Sequence, residues 1–302
     1  MSGIATNRSN ITLPTDVSQE IIQKTQQASA IMQLARQIDL PGRGLTIPVI
    51  TSDPEAAWVA ETGAKAVSNP GLSTKIMQAY KLAVIVPFSD EFRRDAAALY
   101  DALVARLPLA LAARFDQTVV GAVAKPGENF DNFAACTAQS LVKTVSHTTY
   151  DGLVAAYEDI ATANGSLNGF ALSPAAIGIL LGATDSTGRP LFISSTAEGG
   201  VNRVLGARTL ESRGVYKAGS APAASDAGTP AIVGIAGDWS QAMYGTVEGV
   251  QIRFADQTGL TINSQQVNLW EHNMFAVRAE IELGFRADTN CFNLLTGATP
   301  AA

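Results

Sequence analysis

Residues 89–124 form the longest segment of this 302-residue chain with a single amphipathic pattern, and they constrain the fold more than any other part. Ser89 can cap a first turn in which Asp90 and Glu91 suit the helix dipole. A helix of this length reaches roughly 50 Å at about 1.5 Å per residue, so we predict a spine on which other elements pack. Pro108 predicts a kink. The apolar residues recur at helical spacing: Phe92, Leu99, Leu103, Leu107, Leu111, Phe115 and Val119.

The composition limits the classes of function. Hydrophobic residues make up 47% of the chain, enough for a large core, whereas charged residues make up only 16%. Because soluble domains usually carry ~25% charged residues, we expect much of this surface to be buried against partners. The net charge of -6, without a Lys/Arg cluster, leaves only weak, non-specific contact with DNA. No apolar run approaches the ~18 residues of a membrane span, and no signal-peptide pattern is present, so we expect no membrane association and synthesis in a cytoplasm.

Residues 42–88 are typical of a long projecting hairpin. A strand-like run at 45–50 leads out and another at 81–86 leads back. The roughly 28 residues between them exceed an ordinary loop inside a compact domain. This excursion carries Trp58 among charged residues, and an aromatic anchor with a charged rim is typical of a partner-binding surface. The alternative is a loop folded back on its own domain with Trp58 in the core, and the residues alone leave both open.

The rest of the chain mixes helices and strands, which predicts an α+β fold. Residues 1–13 are polar and are expected to form an extended arm, followed by a short helix after Pro14. Further elements are predicted in chain order: helices at 149–163 and 174–181, and strands at 169–172, 231–237, 247–254 and 273–285.

Two of these elements carry expectations about burial. The helix at 149–163 should bury one face and close with a left-handed cap at Asn164-Gly165. That face consists of Leu153, Val154, Tyr157 and Ile160. The strand at 273–285 should pack beside the spine helix through its alternate apolar residues. These are Phe275, Val277, Ala279, Ile281 and Leu283.

Candidate catalytic and metal-binding residues are few. The two histidines, His147 and His272, could in principle join Cys136 or Ser173 as base and nucleophile. No nucleophile elbow, HExxH motif or phosphate loop accompanies them. Cys136 and Cys291 form no CxxC or Cys/His pattern and are expected to be free thiols. We therefore predict no catalysis, no cofactor and no metal ion.

Short motifs spread along the chain follow one another in a recognisable order. In that order they are Ile47-Pro48, Ala57-Trp58-Val59-Ala60-Glu61, Lys81-Leu82-Ala83, Val86-Pro87-Phe88-Ser89-Asp90-Glu91, Ser173-Pro174, Gly188-Arg189-Pro190-Leu191, Gly237-Asp238-Trp239-Ser240, and Arg278 with Gly284. Each is weak alone, but the ordered set, from about residue 14 to 295, resembles the major capsid proteins of tailed bacteriophages with the Hong Kong 97-type fold.

The resemblance implies an α+β capsid fold with a long spine helix, an extended loop (E-loop), and peripheral and axial domains. The corresponding segments are an N-terminal arm with a short helix at 1–41, the E-loop hairpin at 42–88, the spine helix of the peripheral domain at 89–133, the axial domain at 134–264, and the return strand with the C-terminal segment at 265–302. On this interpretation we expect subunit contacts at Arg43, Trp58, Glu61, Lys65, Glu91, Arg93 and Arg94.

The resemblance also implies a structural role without catalysis. Subunits would assemble through pentamers and hexamers into an icosahedral shell around double-stranded DNA, in a virion assembled in the cytoplasm of a bacterial host. Portal and decoration proteins are expected partners, and the arm beginning at Met1 is similar to that of members with a separate scaffolding protein or none. The alternatives are an encapsulin-type compartment shell and a generic oligomeric binding protein. A cross-link through Lys65 or Lys75 is a further hypothesis.

Overall fold

The computed structural model describes residues 23–300, apart from gaps at 43, 53–57, 60–64, 66, 68–70, 91–95, 146, 186, 193–200, 202, 223–226, 248–249, 258 and 263–264. The N-terminal arm expected at 1–13 and the helix expected after Pro14 lie outside this range, except that residues 23–28 are helical. No helix of the described chain is both long and apolar enough to cross a bilayer.

Helices and strands follow one another along the whole described chain. The helices are α1 (Ala30–Leu34), α2 (Ala96–Val120), α3 (Thr149–Thr162) and α4 (Pro174–Leu181), with 3-10 turns at Trp239–Gln241 and Thr289–Cys291. The strands are β1 (Arg36–Asp39), β2 (Leu45–Ser52), β3 (Gly71–Met77), β4 (Tyr80–Ser89), β5 (Ala138–Ser140), β6 (Gly169–Leu172), β7 (Arg203–Val204), β8 (Ala207–Glu211), β9 (Ile232–Gly237), β10 (Ala242–Thr246), β11 (Gln251–Ala255), β12 (Gly259–Ile262), β13 (Gln265–Asn268), β14 (Met274–Ala287) and β15 (Phe292–Thr296).

The spine helix α2 is present but shorter than predicted. Its 25 residues span roughly 37 Å, and it ends at Val120 because Gly121 takes a positive φ of 82°. Ser89, expected to cap the helix, instead ends strand β4 and pairs with Met274. Pro108 lies inside the helix, and its kink stays a prediction. The predicted stripe is buried over the part of the helix whose side chains are described: Leu107, Leu111, Phe115 and Val119.

Strand β14 is the centre of the first sheet. β4 pairs with it along one edge over ten residue pairs, from Met274↔Ser89 to Leu283↔Tyr80. β11 and β10 pair with successive parts of its other edge, and β1 adds in parallel to β10. Its alternate apolar residues are at most 3% exposed, which confirms the predicted face: Phe275, Val277, Ala279, Ile281 and Leu283.

The second sheet has the order β5-β15-β9-β6-β8-β7. The predicted strand β6 is correct to the residue, and all four of its side chains are buried. α3 and α4 pack on this sheet through a second hydrophobic cluster. The cap of α3 is left-handed at Asn164, with a φ of 60°. One expectation about α3 is wrong: Tyr157 is exposed, because the buried face is centred on Leu153, Ala156 and Ile160.

Two strand predictions need correction. The expected return strand at 81–86 lies in β4, which pairs with β14, whereas the hairpin partner of β2 is β3. The break between β3 and β4 was missed because Gln78-Ala79 carries no Gly or Pro signal. The strand predicted at 247–254 corresponds only to β11, which begins at Gln251, whereas Val247 is a bend and the preceding strand β10 was not predicted.

An aromatic cluster joins the spine helix to both sheets. Phe133 stacks on Phe292 of β15 at 4.5 Å between ring centroids and lies edge-on to Phe285 of β14 at 5.7 Å. Phe115 of α2 contacts Phe285 at 6.0 Å. Such edge-on and offset pairs are favourable beyond their buried area. The two sheets therefore share one core, and the elements that project from it have a fixed base.

Candidate subunit-contact site

The β2–β3 hairpin projects from the core as a separate two-stranded sheet. Its strands pair with each other from Leu45↔Met77, the hairpin root, to Ser52↔Gly71 near the tip, and no other described strand pairs with either. Pro48 in β2 has no N–H to donate, as suits an edge strand. Because an isolated two-stranded hairpin is marginally stable in water, this one depends on the support that it receives at its root.

Arg286 of β14 fixes the hairpin root. Its guanidinium donates to the carbonyl of Ile76 from Nε at 2.8 Å and from Nη2 at 2.5 Å, and to Asp131 Oδ1 from Nη1 at 2.7 Å. Nη2 also donates to Asn129 Oδ1 at 3.0 Å. The guanidinium is nearly buried, and it ties the backbone of β3 to the loop that follows the spine helix.

Further contacts restrict the same root. The Lys75 ammonium donates to the Ala287 carbonyl at 3.2 Å and lies 4.0 Å from Asp131 Oδ2. Gly284 of β14 leaves room for the crossing backbone, because a Cβ there would lie 2.9 Å from the Gln78 carbonyl oxygen. The direction in which the hairpin leaves the subunit is therefore set by contacts inside the subunit.

The described residues of the hairpin tip are exposed. Trp58 is fully exposed, Val67 is 87% exposed, and Val59 and Lys65 also face solvent. The alternative in which Trp58 belongs to the core of its own domain is therefore wrong. The other expected contact residues lie outside the described part of the chain: Arg43, Glu61, Glu91, Arg93 and Arg94.

A second exposed tryptophan was missed by the sequence prediction. Trp270 is 72% exposed in the turn after the β12–β13 hairpin, where its backbone N–H donates to Asn268 Oδ1 at 3.3 Å. His272 is exposed in the same turn. The signal was a tryptophan inside the polar run Asn268–Asn273, which predicts a turn and not a core strand.

A buried carboxylate joins three distant segments. Asp116 of the spine helix accepts hydrogen bonds from the Ser29 hydroxyl at 2.5 Å and the Ser212 hydroxyl at 2.6 Å. The backbone N–H groups of Ala30 and Ile31 also donate to it, so it holds the start of α1. Burial raises the pKa of Asp116 to about 6, although these hydrogen bonds oppose the rise. The position of Asp116 directly after Phe115 of the predicted apolar stripe was a signal that this carboxylate is buried, although it does not identify the partners.

The residues considered for catalysis serve local structure. Ser173 accepts from the N–H of Ala176 and caps α4. The Cys136 thiol donates to the Thr289 carbonyl, and burial, with the nearby Asp288 charge, raises the pKa of this thiol to about 12. A His147 ring nitrogen contacts the Val142 carbonyl at 3.3 Å. Cys136 and Cys291 are free thiols, and the described residues include no group of three or more metal-ligating side chains.

Comparison with known proteins places this geometry in context. The model of the phage capsid family matches residues 9–291. The probable major capsid protein gp17 of Mycobacterium phage L5 is 28% identical over 304 residues, covering 94% of this chain and 89% of that protein. The corresponding protein of Mycobacterium phage D29 is 26% identical with the same coverage. A solved structure from Gordonia phage Cozz superposes with a TM-score of 0.69 at 23% identity, covering 90% of this chain and 87% of that one.

Proposed function

Because the chain belongs to the phage capsid family, we propose that it is a major capsid protein, the structural subunit of a virion shell. Its fold is α+β and of the Hong Kong 97 type. Within this role, subunits form pentamers and hexamers, and these tile an icosahedral shell around double-stranded DNA. The rings close through head-to-tail contacts, in which one surface of each subunit meets a different surface of the next.

The observation that carries the proposal is a hairpin with a fixed root and an exposed aromatic tip. Arg286 and Lys75 hold the root inside the subunit, whereas Trp58 has no cover from its own chain. Burying a large aromatic side chain at an interface stabilises association by about 2 kcal/mol or more. The hairpin tip can bury Trp58 in this way only against another molecule, and in a shell every subunit has a neighbouring subunit to contact.

The proposed role as a shell subunit also gives the other parts of the molecule their place in domains and subunit contacts. We propose that α2 and the return strand β14 belong to a peripheral domain, and that residues 134–264, which include α3 and α4, form an axial domain. Contacts between subunits involve the loop and the head of the spine helix: Arg43, Trp58, Glu61, Lys65, Glu91, Arg93 and Arg94. The shell acts by geometry, so no catalytic residue or cofactor is required of it.

We also propose the partners that such a shell requires. A portal and decoration proteins bind its surfaces, and assembly in the cytoplasm of the bacterial host proceeds with a separate scaffolding protein or without one. Contact with packaged DNA is non-specific, since a net charge of -6 offers no dense basic surface. An inner wall that held DNA tightly would also hinder its packing and release.

The test is negative-stain electron microscopy of the purified recombinant protein, with light scattering to weigh the particles. Shells, tubes, pentamers or hexamers are expected. A monodisperse small oligomer, formed even when candidate scaffolding protein is co-expressed, would contradict the proposal. Particles recovered from infected host cells should contain nuclease-protected DNA, and a co-purifying cargo enzyme in its place would indicate a cellular compartment.

A further inference from the structure

A groove lies beside the root of the hairpin, between the second half of the spine helix and strands β4 and β14. It encloses about 190 Å³. Tyr80, Leu82, Phe115, Phe130 and Leu283 supply its apolar lining. Phe130 contacts both Tyr80 and Phe115 edge-on, at 6.2 Å and 6.3 Å between ring centroids. These ring contacts hold the lining in place, so the groove is part of the folded subunit. We call it the root groove.

The mouth of the root groove adds polar and basic groups. Thr118 Oγ1 donates to the Arg114 carbonyl at 2.9 Å and retains lone pairs that can accept a hydrogen bond. The Arg114 side chain is exposed and has no ion-pair partner among the described residues. Lys81 also lies at the mouth, within 3.5 Å of Glu280 and 3.4 Å of Glu282. The groove thus offers an apolar slot, one acceptor and an unpaired positive charge.

We infer that the root groove of each subunit receives Trp58 from the hairpin tip of the neighbouring subunit. This inference rests on the proposed shell function and names the surface that the loop contacts. An indole matches the slot chemically, because it is a flat apolar ring with a single N–H donor, for which Thr118 provides an acceptor. The part of the tip that precedes Lys65 is acidic: residues 44–64 contain Asp53, Glu55 and Glu61 and no Lys or Arg. These charges complement Arg114.

The occupant comes from another copy, because the subunit's own Trp58 is fully exposed. The groove adjoins the root of the hairpin, since Tyr80 follows the paired residue Met77 by three positions. The eight residues of β2 separate root from tip by roughly 26 Å at about 3.3 Å per residue. A contact from tip to root joins two different surfaces, so every subunit both donates a tip and receives one. Repeated around an axis, this contact closes a ring.

The test is cross-linking between two exposed positions, chosen so that Trp58 and the five apolar lining residues named above stay unchanged. Val59→Cys places a thiol beside Trp58, and Ala124→Cys places one at the groove. Assembled particles of the double variant, treated with a short bismaleimide, should give a ladder of covalent oligomers on a denaturing gel. Each single variant controls for the native Cys136 and Cys291. Val59→Cys with Ala161→Cys, an exposed position on α3, is the matched control and should give at least tenfold less ladder.

Two outcomes would overturn the inference. Particles that form normally but give no ladder would exclude the root groove while leaving the shell function intact. A ladder from Glu271→Cys with Ala124→Cys, without one from Val59→Cys, would assign the groove to the Trp270 turn instead. Failure of the unmodified protein to form any particle or ring would instead count against the shell function itself.

A second measurement uses fluorescence and does not depend on added cysteines. In Trp270→Phe particles, the emitting tryptophans are Trp58 and the buried Trp239. Quenching by acrylamide should fall several-fold on assembly, because Trp58 becomes enclosed. Equal quenching of assembled particles and free subunits would overturn the inference even if the cysteine variants did not assemble.

Discussion

At the scale of single residues, Asp116 makes the stability of the subunit depend on pH. Its pKa is about 6 in the folded chain against 3.8 as the ordinary value, so the folded state binds more protons than the unfolded state between these pH values. Stability from this group is therefore fully present below about pH 4 and is lost as pH rises through 6. A pKa that is about 2 higher in the folded chain than in the unfolded chain corresponds to about 3 kcal/mol of folding stability. Asp116→Asn removes this dependence.

We expect the free energy of unfolding of Asp116→Asn, relative to the unsubstituted subunit, to rise by up to about 3 kcal/mol between pH 4 and pH 7. Urea titrations of unassembled subunits at both pH values would measure it. Asp185→Asn is the control with the opposite sign, because hydrogen bonds from Thr187 and Arg189 lower the pKa of Asp185. A pH-independent difference for Asp116→Asn would contradict the prediction.

The Arg286 network predicts a large loss of stability on substitution. Arg286→Ala leaves the half-buried Asp131 carboxylate and the Ile76 carbonyl without their donors, which should lower the free energy of unfolding by about 3 kcal/mol. Arg278→Ala is the matched control on the same strand. Its pair with Glu280 is more exposed, so a loss below about 1 kcal/mol is expected. Equal losses in chemical denaturation would show that the root is not held by Arg286.

The sequence predicts the burial and contacts of some of these residues but not of others. The exposure of Trp58 was predictable as one of two alternatives, because a tryptophan on a long charged excursion has few ways to be buried. Asp116 and Arg286 were not identified. Their partners lie from 85 positions away, between Asp116 and Ile31, to 210 positions away, between Arg286 and Ile76, so their roles arise only when distant segments meet. Sequence spacing carries no signal for such contacts.

At the scale of elements, the hairpin should be dispensable for folding and necessary for assembly. Ile50 and Leu72 are paired in register, so residues 51–71 can be exchanged for a two-residue Asn-Gly turn that suits an antiparallel pair. The root contacts of Arg286 and Lys75 remain. We expect a subunit whose melting temperature lies within a few degrees of the original and which forms no stable shells in electron micrographs. Normal shells would show that the tip does not contact a neighbour.

Helices and strands with a strong local sequence pattern were predicted correctly, whereas the pairing partners of the strands were not. The alternation of β14 and the stripe of α2 follow from burial of one face, which a sequence displays directly. The pairing of β4 with β14 instead of β2 depends on a break at Gln78-Ala79 that no turn residue marks. β10 was not predicted, because its five residues carry no strong alternation of apolar and polar side chains. Partner choice is a property of the assembled sheet.

At the scale of the whole molecule, charge predicts weak contact with DNA. Each subunit carries a net charge of -6, so few counterions are released when it meets a duplex. We expect no gel shift of double-stranded DNA by free subunits below roughly 10 μM at about 150 mM salt. A shift at sub-micromolar concentration, insensitive to sequence, would contradict this. The fold class itself was predictable, because motifs in family order run along nearly the entire chain.

The order of β14 and β15 after all of their strand partners along the chain has a consequence for synthesis. β14 is the strand to which β4, β10 and β11 all bind, and β15 lies between β5 and β9 in the second sheet. A ribosome must therefore translate past Ala287 before the first sheet can close, and past Thr296 before the second can. A truncated product lacks the central strand of both sheets and the arginine that orients the hairpin. Translation products that stop before β14 cannot complete either sheet, so in the proposed shell the topology of the subunit would itself select for complete chains.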